Sequence, residues 1–330
     1  MCGLGHMKKV RVLYHDNCFD GVSSAAVFSR FYKAHVDPAA EIEYEGLTHK
    51  AGQQFDDTLF GEAENAIVDF KYCASRKLTW WFDHHESAFL SVQDEAHFRR
   101  DSSGHKFHDP SYKSCTKFIA HVTRTVFDCP MPDLDDLIYW ADIIDGAQFP
   151  DAKTAVELKE PAMRLMLVIE ASHSPQLIHK IIREVQHKPL AGVMEDPEIR
   201  STFEKLYAHH FESIEIMRGA ARCTGGVIEF DVSGHDLDGY NKFIPYYLFP
   251  ESVYSVGVSK SPLRAKVSVG TNPWTKRERR QNLAKLCEGY GGGGHAVVAA
   301  ISFKPDELDK AREAAREIAE KLQHDLKGNE

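Results

Sequence analysis

The chain has 330 residues, with 40 lysines and arginines against 49 aspartates and glutamates, a formal net charge of −9. Hydrophobic residues make up 43% of it and charged residues 27%, a globular balance with length for about two domains. The acidic excess argues against binding long duplex DNA, where many phosphates must be neutralised, and leaves room for a small phosphorylated substrate in a local basic pocket.

No apolar run approaches the roughly 20 residues that span a bilayer, so no membrane partner is expected. The seven cysteines (Cys2, Cys18, Cys73, Cys115, Cys129, Cys223, Cys287) are scattered with no CxxC pair. Neither a disulfide framework nor a zinc ribbon is expected, and a reduced cytoplasmic setting fits. The opening MCGLGHMKKV has no apolar signal-peptide core. Gly5-His6-Met7 reads as a cloning remnant or as a stretch upstream of a start at Met7, and residues 1–7 are set aside.

Val10-Arg11-Val12-Leu13-Tyr14 reads as a strand that runs into a polar turn, His15-Asp16-Asn17-Cys18-Phe19-Asp20-Gly21. A helix is predicted over Ser23 to Tyr32, burying Ala25, Ala26, Phe28 and Phe31. The pattern recurs. Ala66-Ile67-Val68 reaches Asp69, and the aromatic run from Leu78 to Phe82 reaches Asp83-His84-His85. Leu137 to Trp140 reaches Asp142 and Asp145, and reads as a strand or a helix. Alternating strands and helices predict an α/β layer with a largely parallel sheet, whose sites lie at the carboxyl ends of the strands. Residues 155–218 read as helical. Strands follow at Gly225 to Phe230, Val253 to Val258 and Ala265 to Val269. The closing helix carries one apolar stripe, Leu308, Ala311, Ala315, Ile318 and Leu322, with Asp306 as its predicted cap.

Several carboxylates and imidazoles therefore fall at strand ends. Buried charge must be compensated, and a divalent cation would do so. Mixed oxygen and nitrogen ligands suit Mn²⁺ best, with Mg²⁺ or Zn²⁺ as alternatives. Two such ions would form the clamp used in phosphoester cleavage, activating a water as nucleophile. A second signal is Gly291-Gly292-Gly293-Gly294-His295, which runs into Ala296-Val297-Val298-Ala299-Ala300. Glycines let backbone N–H groups approach an anion, and a helix starting after them would strengthen the site. By contrast, His209-His210 sits in a helical stretch and reads as structural.

Asp83-His84-His85 early and Gly291–His295 late, in that order, resemble the DHH/DHHA1 phosphoesterase superfamily, which includes RecJ-type exonucleases, nanoRNases, dinucleotide phosphodiesterases and exopolyphosphatase-like proteins. The resemblance covers nearly the whole chain. It implies an α/β fold in three parts: a DHH metal-binding domain over 8–185 with a largely parallel sheet flanked by helices, a helical linker over 186–220, and a smaller α/β DHHA1 domain over 221–330 that binds substrate. A cleft between the domains, a divalent metal (most often manganese, one or two ions) and a small phosphorylated or short nucleotide substrate are implied with it. A homodimer stays open.

By the same resemblance, His15, Asp20, Asp69 and His84 are metal ligands, with Asp69 bridging two ions. Asp83 orients its neighbours, and His85 contacts the phosphate or the attacking water. For the fourth motif Asp142 is chosen over Asp145. The first motif departs from the family's HxDxDG pattern. Asp20-Gly21 matches its end, but Cys18 stands at the middle aspartate and His15 is one residue early, an HxNCxDG-like variant. A thiolate at Cys18 would favour a softer metal such as Zn²⁺. In the C-terminal part, Gly270 holds the place of a phosphate-binding arginine. Lys276-Arg277-Glu278-Arg279-Arg280 reads first as a solvated basic face, with Arg277 as a candidate replacement. Gly291 to Gly294 and His295 are the candidate substrate loop, and Trp274 reads as a packing residue before a base-stacking one. The implied activity is hydrolysis of a short oligoribonucleotide, a dinucleotide, a nucleoside bisphosphate or polyphosphate. The departures at Cys18 and Gly270 also leave open a catalytically weak protein of this fold that senses a nucleotide or phosphate.

Overall fold

Two hydrophobic periodicities, one of strands and one of helices, alternate along the chain and sort it into two compact units. These are Met1–Phe149 with Lys159–Glu204, and Pro150–Leu158 with Lys205–Glu330. The computed structural model describes residues 8–49, 55, 57–61, 64–235, 237 and 239–327. Gly5-His6-Met7 lies outside the described residues.

The first unit is built on five parallel strands: β1 (Lys9–His15), β2 (Glu41–Leu47), β3 (Glu64–Val68), β4 (Leu78–Asp83) and β5 (Lys106–His108). Their order is β2-β1-β3-β4-β5, so the chain reverses its direction of travel between β1 and β3. That is where an open α/β sheet leaves a crevice at the carboxyl ends of its strands. The helices, in chain order, are α1 (Phe19–Phe31), α2 (Val92–Arg99), α3 (Cys115–Val126) and α4 (Asp135–Asp145), followed by α5 (Ala152–Glu157), which groups with the second unit. Then come α6 (Pro161–Ala171), α7 (Pro175–Glu184), α8 (Leu190–Met194) and α9 (Pro197–Ala220), which crosses the division between units.

A parallel sheet has to be covered on both faces, and β4 shows how the sequence achieves this. Successive side chains alternate sides. Trp80 and Phe82 pack against Phe28 of α1, while Trp81 packs against Tyr72 and Phe98 on the other face. All three β4 aromatics are buried. Helix α1 is buried at every residue except Arg30, because it lies on β1 beneath α3, α4, α6 and α7.

Helix α1 begins four residues before the predicted Ser23. Gly21 in its first turn comes so close to the end of β1 that a Cβ there would lie 2.1 Å from the His15 carbonyl oxygen. Only glycine permits that approach, and it places Asp20 directly beside the β1 terminus. The Leu137–Trp140 stretch resolves as helix, within α4, so Asp142 and Asp145 sit on a helix and not at a strand end.

The second unit holds a six-stranded sheet of β6 (Arg222–Thr224), β7 (Val227–Asp231), β8 (Tyr254–Lys260), β9 (Ala265–Thr271), β10 (Gly293–His295) and β11 (Val298–Phe303), in the order β10-β11-β9-β8-β7-β6. All its pairs are antiparallel except β7–β8. Two short helices, α10 (Ile244–Leu248) and α11 (Leu283–Glu288), precede the long α12 (Leu308–Lys327). The predicted α12 stripe packs on Val227, Tyr254, Val256, Val267 and Ile301. Glu307, not Asp306, precedes the helix, and its carbonyl accepts from Ala311 N–H. The glycine run leads into no helix. Gly291 and Gly292 close α11, donating to the Glu288 and Cys287 carbonyls, and Gly293 onward forms a tight hairpin with β11.

Among the described residues no helix is long and apolar enough to cross a membrane. Because Trp81 is 0% exposed on one face of β4, Trp81→Ala is expected to cost about 3–5 kcal/mol of stability, read as a fall in the urea midpoint.

Candidate metal centre

The crevice residues converge on one carboxylate. His15 is the last residue of β1, Asp69 follows β3 directly, and Asp83 closes β4 ahead of His84 and His85. Asp69 adopts a left-handed backbone with φ 55°, a conformation aspartate tolerates better than most residues and one that clusters at functional sites. Its N–H is anchored on the Phe82 carbonyl at 2.9 Å.

The two carboxylate oxygens of Asp69 face different partners. Oδ2 lies 3.3 Å from His15 Nδ1 and 3.8 Å from Cys18 Sγ. Oδ1 lies 3.3 Å from His84 Nε2. His84 Nε2 is in turn 3.8 Å from Asp20 Oδ2 and 3.5 Å from Asp145 Oδ2. The side chains thus form a His15–Cys18–Asp69 group and an Asp20–His84–Asp145 group, each with its donor atoms within 4.8 Å of one another.

Each donor is held from behind. His84 Nδ1 donates to the Tyr112 carbonyl at 3.1 Å. A carbonyl can only accept, so Nδ1 carries a proton and Nε2 is the nitrogen turned to the cluster, the one a metal would take once its own proton is displaced. Asp20 accepts from Cys115 N–H at 2.7 Å and Thr116 N–H at 3.0 Å, at the N-terminus of α3, where the helix dipole favours an anion. Asp83 does not face the group. Its Oδ1 accepts from the N–H groups of His84 (2.8 Å) and His85 (3.3 Å) and pairs with His85 Nδ1 at 2.7 Å. Asp69, His84 and His85 also lie within 4.8 Å of one another, but His85 Nδ1 is already committed to Asp83, which leaves Nε2 for other work.

Without a cation the cluster compensates with protons. Burial pushes the Asp20 carboxyl well above the usual range, and the charges of Asp69 and Asp145 push it further. Burial and Asp69 push Asp145 up to about 6. Burial would raise Asp69 too, but the neighbouring imidazoles, His15 and His84 first, hold it below the ordinary carboxylate range. Burial would lower His84, yet the Asp69 and Asp20 carboxylates outweigh it and push it up to about 10. Asp69 Oδ1 and His84 Nε2 are nevertheless buried with no hydrogen-bond partner among the described residues, a costly state. A divalent cation coordinated by these atoms would remove both penalties, and the carboxylate, imidazole and thiol groups fit one.

Two predicted positions fall elsewhere. Asp142 lies on the same helix as Asp145 but pairs with Lys117 Nζ at 2.5 Å. The cluster takes Asp145 and not the expected Asp142, because the turn of α4 and the Lys117 partner decide which carboxylate faces His84. Arg277 is not brought to the glycine run. Its guanidinium lies over Gly226, where a Cβ would come within 2.7 Å of it, in the β6–β7 turn at the opposite edge of the sheet from β10. Asn17 also turns away, donating to the Ser172 carbonyl at 2.7 Å.

In the second unit the glycine run is required by close backbone contacts. A Cβ at Gly292 would meet the Ala300 carbonyl oxygen at 2.4 Å, and one at Gly294 the Val298 carbonyl oxygen at 2.5 Å. The N–H groups of Gly291 and Gly292 are spent on α11, so the backbone open to an anion is the outer edge of β10, beside the exposed His295. The β-ladder places His295, Val298, Gly270 and Ser255 in one row across the sheet. Over Gly270, where the resemblance implies an arginine, lies the Tyr246 hydroxyl, bonded to Ser255 Oγ at 2.7 Å. Trp274 packs on Phe243.

Three residues that no motif points to join these features: His49, whose ring lies 4.8 Å from that of His15 and stacks on Phe70 at 4.5 Å, Tyr112 and Tyr246. A lone histidine in a loop and a backbone carbonyl carry no motif.

No protein-family model and no curated protein sequence matches the chain. Solved structures do. A pGpG-specific phosphodiesterase, PggH from Vibrio cholerae, superposes with a TM-score of 0.69 at 18% identity, covering 94% of this chain and 99% of the other. The DHH domain of a member of a ribosomal-protein family gives 0.55 at 13%, covering 94% and 86%. RecJ from Thermus thermophilus, in complex with Mn²⁺, gives 0.52 at 12%, with this chain spanning 95% of its own length and 52% of RecJ. The chain has the two-unit α/β fold of the DHH-domain proteins.

Since the metal-free cluster keeps a proton on His84 throughout the neutral range, a cation has to displace it. Mn²⁺ affinity is expected to rise by about tenfold per pH unit between pH 6 and 8 for each proton released, measured by calorimetry in buffers of different ionisation enthalpy. Asp69→Ala is expected to abolish binding, and Asp142→Ala to leave it nearly unchanged.

Proposed function

We propose that this protein is a divalent-cation-dependent phosphoesterase that hydrolyses a small phosphorylated substrate, with short linear dinucleotides and oligoribonucleotides as the leading class. The observation that carries the reading is the position of Asp69. A single buried carboxylate at the switch point of the sheet belongs to the His15–Cys18–Asp69 group and lies 3.3 Å from His84 of the Asp20–His84–Asp145 group, an arrangement that suits a phosphoester clamp. The shared fold with a pGpG-specific phosphodiesterase over nearly both full lengths supports the substrate class.

When bound, a divalent cation supplies charge for the phosphoryl oxygens and lowers the pKa of a water. In the reading proposed here His15, Asp20, Asp69, His84 and Asp145 hold it, with Asp83 behind them. His85 does the proton work. Its hydrogen bond to Asp83 pushes its pKa up, which favours the protonated ring, with Nδ1 directed at Asp83 and Nε2 left free to face a phosphoryl oxygen or leaving group. In the second unit, backbone at the edge of β10 and the exposed His295 are the candidate anion-binding groups.

Turnover should be assayed on pGpG and other dinucleotides, di- to pentaribonucleotides, cyclic dinucleotides, adenosine bisphosphate and polyphosphate, after stripping metal and reloading with Mn²⁺, Mg²⁺, Co²⁺ or Zn²⁺. Activity is expected on the linear nucleotides. His84→Ala should lose metal and turnover together. His85→Ala should keep its metal and lose about 10²–10⁴-fold in kcat. Ligand binding without turnover under every metal would replace this reading with a sensor.

A further inference from the structure

The first motif is one residue longer than the HxDxDG pattern it resembles, and the fold absorbs the extra residue in a specific way. Asn17 adopts the left-handed conformation, φ 54°, and its side-chain amide is tied to the Ser172 carbonyl at 2.7 Å. Asp16 caps the same turn by accepting from Asn17 N–H at 2.9 Å. The outcome is that His15 Nδ1 and Cys18 Sγ, three positions apart, reach the same Asp69 oxygen, at 3.3 and 3.8 Å. Nitrogen, sulfur and oxygen donors converge there on one point, beside a carboxylate that is 1% exposed and whose other oxygen has no hydrogen-bond partner. The neighbouring Asp20–His84–Asp145 group offers oxygen and nitrogen only.

We propose that the centre is chemically asymmetric: the His15–Cys18–Asp69 group is a thiolate-containing subsite for a thiophilic divalent cation of the Zn²⁺ or Co²⁺ kind, and the Asp20–His84–Asp145 group takes a harder cation such as Mn²⁺ or Mg²⁺, with Asp69 between them. The selectivity follows from ligand softness, since thiolate discriminates strongly for softer ions while carboxylate does not. This rests on the cluster being the metal centre of the proposed phosphoesterase, and extends it to which cation each half prefers.

The test is the absorption spectrum of the full chain titrated with Co²⁺. A thiolate-to-cobalt charge-transfer band in the near ultraviolet is expected with the wild type, lost in Cys18→Ser and in Cys18→Asp. The visible d–d bands of cobalt in the Asp20–His84–Asp145 group should persist in both variants, which also shows that they fold. Mixed loading with Zn²⁺ and Mn²⁺ should give one of each per chain in the wild type, and Cys18→Asp should lose the zinc preference. Cobalt binding without a charge-transfer band in the wild type, or a band that survives Cys18→Ser, would overturn the proposal. The two readings fail separately. Turnover on phosphoesters without the band leaves the phosphoesterase standing and removes the thiolate, whereas the band without turnover does the reverse.

Discussion

Asp69 is a carboxylate buried to 1% exposure at the end of a central parallel strand, and a charge in that position is tolerated only if it is compensated. Much of the first unit serves that requirement. The strand order opens a crevice at Asp69, and the left-handed backbone there sets its carboxylate among His15, Cys18 and His84. Gly21 lets α1 start against the end of β1, bringing Asp20 within 3.8 Å of His84. Imidazoles offset part of the negative charge, but Asp20, Asp69 and Asp145 together exceed what they supply. A bound divalent cation would compensate the remainder.

The same region shows how supporting residues define function as much as the donors do. The Tyr112 carbonyl selects the tautomer of His84, Asp83 aligns His85, and the amides that open α3 hold Asp20. Each partner is a backbone group or a side chain already fixed by the sheet. The donor atoms are therefore pre-oriented by the fold, so a bound cation would find them positioned and would not have to order them.

The second unit solves a different problem. Glycines at 257 and 270 leave the sheet bare enough for the Phe230 ring and the Tyr246 hydroxyl to lie directly on the backbone. A neutral Tyr246–Ser255 hydroxyl pair consequently fills the row that an arginine occupies in the family's pattern. The glycine hairpin and His295 end that row at the open edge of β10. Position 270 therefore presents no guanidinium, and the groups exposed at the end of this row are backbone and the His295 imidazole.

Much of this was legible in the sequence because the information is local. Period-two aromatics in β4, the apolar stripe of α12 and the run Asp83-His84-His85 directly after a strand each declare themselves within a few residues. So did the alternation that makes the sheet parallel and its strand ends chemically rich. The choice between Asp142 and Asp145 was not legible. Three residues on a helix differ by a small rotation, and Lys117, from another element, neutralises one of them. Arg277 follows Gly270 closely in the chain, but its guanidinium lies over Gly226 in the β6–β7 turn, at the other edge of the sheet from β10, a placement that chain proximity does not reveal. His49 reaches His15 because β2 pairs in parallel with β1, with Leu47 opposite His15 just ahead of His49. Composition, periodicity and short motifs, which depend on neighbours in the chain, determined the fold class and the chemistry on offer. Which carboxylates, imidazoles and thiol share one space was decided by tertiary structure alone, because burial and charge compensation act between residues that the chain keeps far apart.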